Sequence, residues 1–327
     1  MAADLGALGA AGVNALYVEP CGRGWESAAI RLRPDGGVIV ATGATSQGQG
    51  RETAFAQIIA DALEIEPEKI ELRHGDTGLT PPGIGAVASR STEIGGGALL
   101  KAAEALRAAG SRVALRLLQL PDAGPMERLR LTPAGFVRCD GSGQAVTWAA
   151  IAASGEPEFA VSEVFHAPGE AWGSGCCIAA LSIERDTGTP RLEHITLVDG
   201  AGTVVNPLLL EGQLLGGLAQ GVGEALFERI VYAADGQFLT GSLMDYALPR
   251  AEDIPPVTLE SLAPRSPVNP LGAKGVGEAG CIGVPAAIVN AAVDALQPYG
   301  VRHLDMPLSG ETIWRPLNGL PRREEGS

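Results

Sequence analysis

The stretch Asn269-Pro270-Leu271-Gly272-Ala273-Lys274-Gly275-Val276-Gly277-Glu278-Ala279-Gly280 packs four glycines around one lysine and one carboxylate. Glycine lets a backbone come close to a neighbour, because no Cβ stands in the way. Glu278 is a lone acid in this loop, with apolar Val276, Ala279 and Ile282 beside it. Burial there would raise its pKa toward neutrality and suit it to proton abstraction as a general base. A solvated turn carrying an incidental acid fits the same twelve residues equally well.

Working outward, a helix is expected from Val284 to Leu296 and another from Leu209 to Glu228. The second contains Gln213 and four small positions, Gly216, Gly217, Gly221 and Gly223. Each glycine inside a helix costs about 1 kcal/mol relative to alanine, so this helix must pack closely against a neighbour or a ligand. Strands at Cys176–Arg185 and Leu192–Val198 form a hairpin through Asp186-Thr187-Gly188, and residues 230–241 form another around Asp235-Gly236. Nearer the start, residues 26–43 alternate as a hairpin around Asp35-Gly36-Gly37. A glycine-rich loop, Ala44 to Gly50, follows, then a helix from Glu52 to Leu63 and a strand from Lys69 to Arg73. A long helix is expected from Gly96 to Leu118, and Trp148 anchors a small strand-and-helix region at 121–160.

These elements give an α+β fold of two interlocked lobes, residues 1–155 and 156–327. Both lobes follow one plan: hairpin, glycine-rich loop, helix carrying a glutamine. No residue-level repeat accompanies it. There is no βαβ alternation with G-x-G-x-x-G, which argues against a dinucleotide-binding Rossmann domain. Lys274-Gly275 lacks the following hydroxyl residue of a P-loop.

The chain has 327 residues and a net charge of −14, which argues against nucleic acid or an anionic membrane as partner. It is 46% hydrophobic and 19% charged, and no run reads as long enough to span a bilayer. Met1 to Gly12 carries Asp4 and no basic residue, unlike a signal peptide. Five scattered cysteines without C-x-x-C spacing read as reduced cytoplasmic thiols. The four histidines show no metal-ligand spacing.

Three polar loops stand out: Ser46-Gln47-Gly48-Gln49-Gly50, Ala88-Ser89-Arg90-Ser91-Thr92 and Lys274–Gly280. The first two precede helices, whose N-termini suit phosphate. Arg90 would add a bidentate phosphate donor. Gln49 offers a donor and an acceptor to a planar heterocycle. A plain cluster of helix caps is the alternative for Ser89 to Thr92.

In order and spacing these loops carry a resemblance. Added to them are Thr53 with Gln57-Ile58-Ile59-Ala60, Gly75-Asp76-Thr77, Asn206-Pro207, Glu211-Gly212-Gln213, Gly216-Gly217 and Asp245-Tyr246-Ala247-Leu248-Pro249. Together the chain resembles the molybdopterin-binding large subunit of the xanthine dehydrogenase/aldehyde oxidase family, with carbon monoxide dehydrogenase-type and nicotinate dehydrogenase-type members nearest. The likeness runs from near Gly12 to near Pro316. It implies a molybdenum hydroxylase subunit with a molybdenum–molybdopterin cytosine dinucleotide cofactor. Glu278 falls on the family's catalytic base, which takes a proton from the water-derived nucleophile that attacks an electron-poor carbon. Gly48, Gln49, Gly50, Ser89, Arg90, Ser91, Thr92, Gln213, Lys274 and Gly275 fall on cofactor-contacting positions. The metal is held by the pterin dithiolene, so no residue of this chain is expected to ligate it. FAD and 2Fe-2S clusters are expected on partner subunits.

Family large subunits are longer, and the part without a counterpart here is N-terminal. Met1 falls almost directly at the second half of the cofactor domain, which points to a natural split subunit, a fragment being the other case. The substrate-lining half would then sit on a companion chain. Local departures are Glu64, where glycine is usual, Ala86, where threonine is common, and Arg185, where aspartate is usual. A non-catalytic cofactor-holding or assembly module of the same descent is the competing reading.

Overall fold

The computed structural model describes residues 7–9, 13–21, 24–121, 128–155 and 159–321. The first hairpin pairs β3 (Trp25–Leu32) with β4 (Val38–Thr42). Gly36 sits at φ 85, and the Asp35 carboxylate accepts from the Gly37 amide at 2.9 Å, which fixes the turn. The chain then crosses through α1 (Arg51–Leu63) and returns as β5 (Ile70–Arg73), parallel to β4. The second hairpin pairs β10 (Ala171–Glu184) with β11 (Pro190–Asp199). It too is followed by a helix, α4 (Pro207–Leu226), and by a parallel strand, β12 (Val257–Ser261) beside β11. The same succession of hairpin, loop, helix and parallel strand is therefore built twice. Each of these two sheets thus contains one parallel βαβ crossover beside antiparallel pairs, which keeps the α+β class.

The two sheets exchange strands. β9 (Ala160–His166) closes the first sheet against β3, giving the order β5-β4-β3-β9. β1 (Ala7–Gly9) and β2 (Val13–Cys21) pair instead with β10, in a sheet ordered β1-β10-β11-β12 with β2 beside β10. A cut at residue 155 thus assigns these strands to the wrong sheets, because chain order does not follow strand pairing.

Each sheet carries its own core. Ile30, Val40, Phe55, Ile59, Leu99 and Leu106 pack α1 and α2 (Gly96–Leu117) onto the first. A three-stranded sheet of β6 (Leu129–Thr132), β7 (Gly135–Arg138) and β8 (Ala145–Val146) leads into α3 (Trp148–Ala152). Trp148 is the anchor expected: its ring meets Phe136 edge-on at 4.9 Å and its Nε1 donates to the Leu63 carbonyl at 3.1 Å.

In the second core, Cys177, Leu181, Ile195, Leu197, Leu218 and Ile288 join β10 and β11 to α4 and α5 (Val284–Leu296). The helical run Ala279–Tyr299 has a mean hydropathy of 1.6 and is long and apolar enough to cross a membrane, which corrects the sequence reading. Its window is 61% buried against the second sheet and α4, the place of a core helix. Residues 230–241 reduce to one bridge, Tyr232 to Phe238, with the rings 5.4 Å apart. An isolated ribbon without a third strand gains too little burial to extend further.

Candidate functional site

The two copies of the repeated unit meet at a cavity of about 530 Å³. One wall holds the loop before α1 and the Ala86–Thr92 segment. The other holds residues 201–206, the α4 residues Leu209, Leu210 and Gln213, and the loop 273–278.

The glycine-rich loop around Glu278 is fixed by backbone contact. Gly202 bridges to Ala273, the Thr203 amide donates to the Gly272 carbonyl at 3.0 Å, and the Lys274 amide donates to the Ala201 carbonyl at 2.8 Å. Gly280 lies on α4 itself: a Cβ there would stand 2.4 Å from the Leu214 carbonyl. From the helix side, a Cβ at Gly217 would come within 2.9 Å of the Gly280 Cα. Close packing accounts for Gly217, Gly221 and Gly223 of α4, whereas a Cβ at Gly216 would meet nothing within 4 Å. Gln213 completes the seat by donating from Nε2 to the Gly277 carbonyl at 3.0 Å. Lys274 and Gly275 line the cavity beside it.

The opposite wall comes to Glu278 through Ser89. The Ser89 hydroxyl donates to Glu278 Oε2 at 3.2 Å and accepts from the Glu278 amide at 3.1 Å. Gly277 leaves room for it, since a Cβ would meet Ser89 Oγ at 2.9 Å. Ala88 and Ser89 both hold positive φ, 45 and 53. Left-handed backbone at non-glycine residues costs on the order of 1 kcal/mol or more each and concentrates at functional sites. Ser91 and Thr92 line the cavity where a π-helical turn, Ser91–Gly95, opens α2. Glu278 itself is exposed, so the apolar enclosure expected around it is not supplied by the described residues.

Three expected cofactor contacts change character. Arg90 is 1% exposed and faces inward: Nη1 meets Glu26 Oε2 at 3.1 Å and the Gly85 carbonyl at 2.8 Å, and Nη2 donates to the Trp25 carbonyl at 2.6 Å. It does not line the cavity, because β3 supplies a buried carboxylate that claims it. Gly50 does not line it either: at φ 72 it forms the start of α1, and a Cβ would strike Leu209 Cδ2 at 2.5 Å. Gln49 does line the cavity, but its carbonyl oxygen already accepts from the Gln47 amide at 2.5 Å, which leaves its donor side for a ligand. Gly48 borders the cavity at φ 90, and a Cβ there would meet no protein atom within 4 Å.

Sequence reasoning missed Arg51 and Thr203, which also line the cavity, and gave Asn206 only as part of a family motif without a place in the site. Arg51 had one available signal, its place directly after Gly50 at the first position of α1. Among the described residues, no group of three or more His, Cys, Asp and Glu side chains could hold a metal ion. What the cavity offers is a set of amide, hydroxyl and cationic donors around glycine-lined space, with one carboxylate at the rim.

Residues 9–255 match the molybdopterin cofactor-binding domain family. The chain is 38% identical over 311 residues to the 6-hydroxypseudooxynicotine dehydrogenase complex subunit gamma of Paenarthrobacter nicotinovorans, covering 92% of this chain and 38% of that one. It is 33% identical to the carbon monoxide dehydrogenase large chain of Hydrogenophaga pseudoflava, over 90% of this chain and 37% of the relative. The crystal structure of quinoline 2-oxidoreductase from Pseudomonas putida 86 superposes with a TM-score of 0.87 at 28% identity, covering 97% of this chain and 43% of the other. The chain thus spans about two fifths of the length of the proteins it matches. It belongs to the molybdopterin cofactor-binding domain family and has the large-subunit fold of molybdenum hydroxylases.

Proposed function

We propose that this chain holds a molybdenum–molybdopterin cytosine dinucleotide in the cavity and supplies the general base of an oxidative hydroxylation, with water as the oxygen source. The substrate class is a heterocycle or an aldehyde. The observation that carries the reading is the Ser89–Glu278 bridge, which joins the two walls at the rim of a donor-lined cavity.

The residues suit such a group. Glycine at 48 leaves space for a close planar ligand, and the amide donors of Gln49 and Gln213 lie on opposite walls. When bound, the cofactor supplies two-electron redox chemistry that no side chain here can provide. Ser91, Thr92, Lys274 and Gly275 line the cavity and would hold it. Ser89 fixes one carboxylate oxygen of Glu278, and the other takes the proton from the water-derived nucleophile. A companion chain corresponding to the N-terminal part of the longer relatives closes the site over Glu278. Partner subunits with 2Fe-2S clusters and FAD carry the electrons away in the cytoplasm.

Purified with its companion chains, the complex is expected to contain molybdenum and a cytosine nucleotide released by acid. A complex free of both would end the proposal. A second reading, a non-catalytic carrier or assembly module for the same cofactor, draws on the exposure of Glu278. Turnover by the loaded complex excludes it.

A further inference from the structure

Two buried arginines lie near one another under the first wall. Arg90 commits both terminal nitrogens to Glu26, Gly85 and Trp25 and leaves only its buried Nε without a hydrogen bond. Arg51 is 4% exposed, lies with its guanidinium 4.9 Å over the Phe55 ring, and borders the cavity. Its Nη1 is buried and makes no hydrogen bond. The two carboxylates that favour its charge are engaged elsewhere. Glu26 accepts from Arg90 and the Gly85 amide, and Glu52 bonds His74 at 2.7 Å and Ser46 at 3.2 Å. Burial lowers the Arg51 pKa to about 10, so the group stays charged at neutral pH. A buried cation is costly unless paired, and the ring face offsets part of that cost.

The start of α1 points the same way. Its N-cap, Gly50, makes no side-chain cap, so the first amides of a 13-residue helix are not closed by a protein group of that kind. Helix start and guanidinium together form the donor set that phosphoryl oxygens prefer.

We propose that Arg51 binds an anionic phosphate or pyrophosphate oxygen of the ligand in this cavity, and that Arg90 braces the wall without touching ligand. The inference rests on reading the cavity as a dinucleotide cofactor site, and it moves the phosphate-binding guanidinium from the second loop to the first. Arg51 is a binding residue here, not a catalytic one.

The test uses the full chain with inorganic pyrophosphate as the probe, followed by calorimetry. The wild type is expected to bind, and Arg51→Gln to weaken binding at least tenfold while keeping its circular dichroism spectrum and melting temperature. Arg51→Met, which keeps the apolar stem, should show the same loss, and Arg51→Lys a smaller one. In the companion-bound complex, Arg51→Gln should lose acid-releasable nucleotide during gel filtration faster than the wild type. Equal pyrophosphate affinity in wild type and Arg51→Gln overturns the proposal, as does a wild type that fails to bind pyrophosphate. The two readings fail separately. Arg51-dependent pyrophosphate binding in a chain whose complex holds no molybdenum would sink the cofactor reading and leave the anion site standing. A loaded complex whose nucleotide retention ignores Arg51 would do the reverse.

Discussion

The two helices that open on the cavity begin in opposite ways. α4 is closed by its own chain: the Asn206 side-chain Oδ1 accepts from the Leu209 amide at 3.0 Å, and Pro207 occupies the first turn. α1 begins at a left-handed glycine with no side-chain cap, and its first residue is a buried arginine. Both belong to the same succession of hairpin, loop, helix and parallel strand. They are tied across the cavity by Asn206, whose Nδ2 donates to Gln57 Oε1 on α1 at 2.9 Å. One copy has spent its helix start on the fold, and the other has kept it for a ligand. The division of labour extends to the walls. The α4 side is rigid through glycine-to-backbone contact, and the α1 side through a buried charge network.

That contrast can be broken first at Arg90. Arg90→Met leaves Glu26 buried without its cation, and unfolding by denaturant should show a loss of about 3–5 kcal/mol. A loss below about 1 kcal/mol would mean that the network does not hold the wall. The opposite wall is tested at Gly280→Ala, whose methyl would press on the Leu214 carbonyl and the Leu218 amide. We expect a loss of about 1–3 kcal/mol, read as a fall in melting temperature, from overpacking. The caps themselves come next. Asn206→Ala should cost about 1 kcal/mol through the lost cap and the lost Gln57 bond. An unchanged melting temperature there would remove the asymmetry between the two helix starts.

The smallest effect concerns Asp199, at the end of β11. It is 2% exposed, accepts from Tyr17 at 2.7 Å, and has a buried Oδ2 without a hydrogen bond. Burial raises its pKa above the usual carboxylate range, against the opposing pull of Tyr17 and the Gly200 and Ala201 amides. A raised folded-state pKa means that its contribution is fully present below the unfolded pKa and is lost as pH rises through the folded value. Asp199→Asn should therefore melt like the wild type below about pH 4 and gain on it as the pH rises toward neutrality. A gap that widens toward acid instead would show the sign to be wrong.

Much of this was legible in the chain because the signals are local. The turn residues Asp35-Gly36-Gly37, the helical spacing of Phe55, Ile58 and Ile59, and the glycines of α4 each report on their own neighbourhood. Glu64 also announced itself: where glycine is usual, it takes φ 53 at the end of α1, the left-handed conformation that favours glycine. What escaped depends on distant partners. Arg90 reads as a phosphate donor until Glu26, 64 residues earlier, is folded beside it. Arg51 looks like an ordinary helix residue until α1 buries it over Phe55. The pairing of β9 with β3 and of β2 with β10 cannot be read from chain order, which places each nearer the other lobe. The exposure of Glu278 escaped as well, because apolar neighbours in sequence do not enclose it in the fold.

The central claim is that the two walls meet in order to present Glu278 as a base beside a bound cofactor. The most direct test is Glu278→Gln in the companion-bound complex, with metal content, acid-released nucleotide and turnover measured on one preparation. The substitution keeps size and hydrogen-bonding shape and removes only the ability to take a proton at neutral pH. The account predicts wild-type molybdenum and nucleotide content with turnover reduced by about 10²–10⁴-fold. Near wild-type turnover with full metal loading would contradict it.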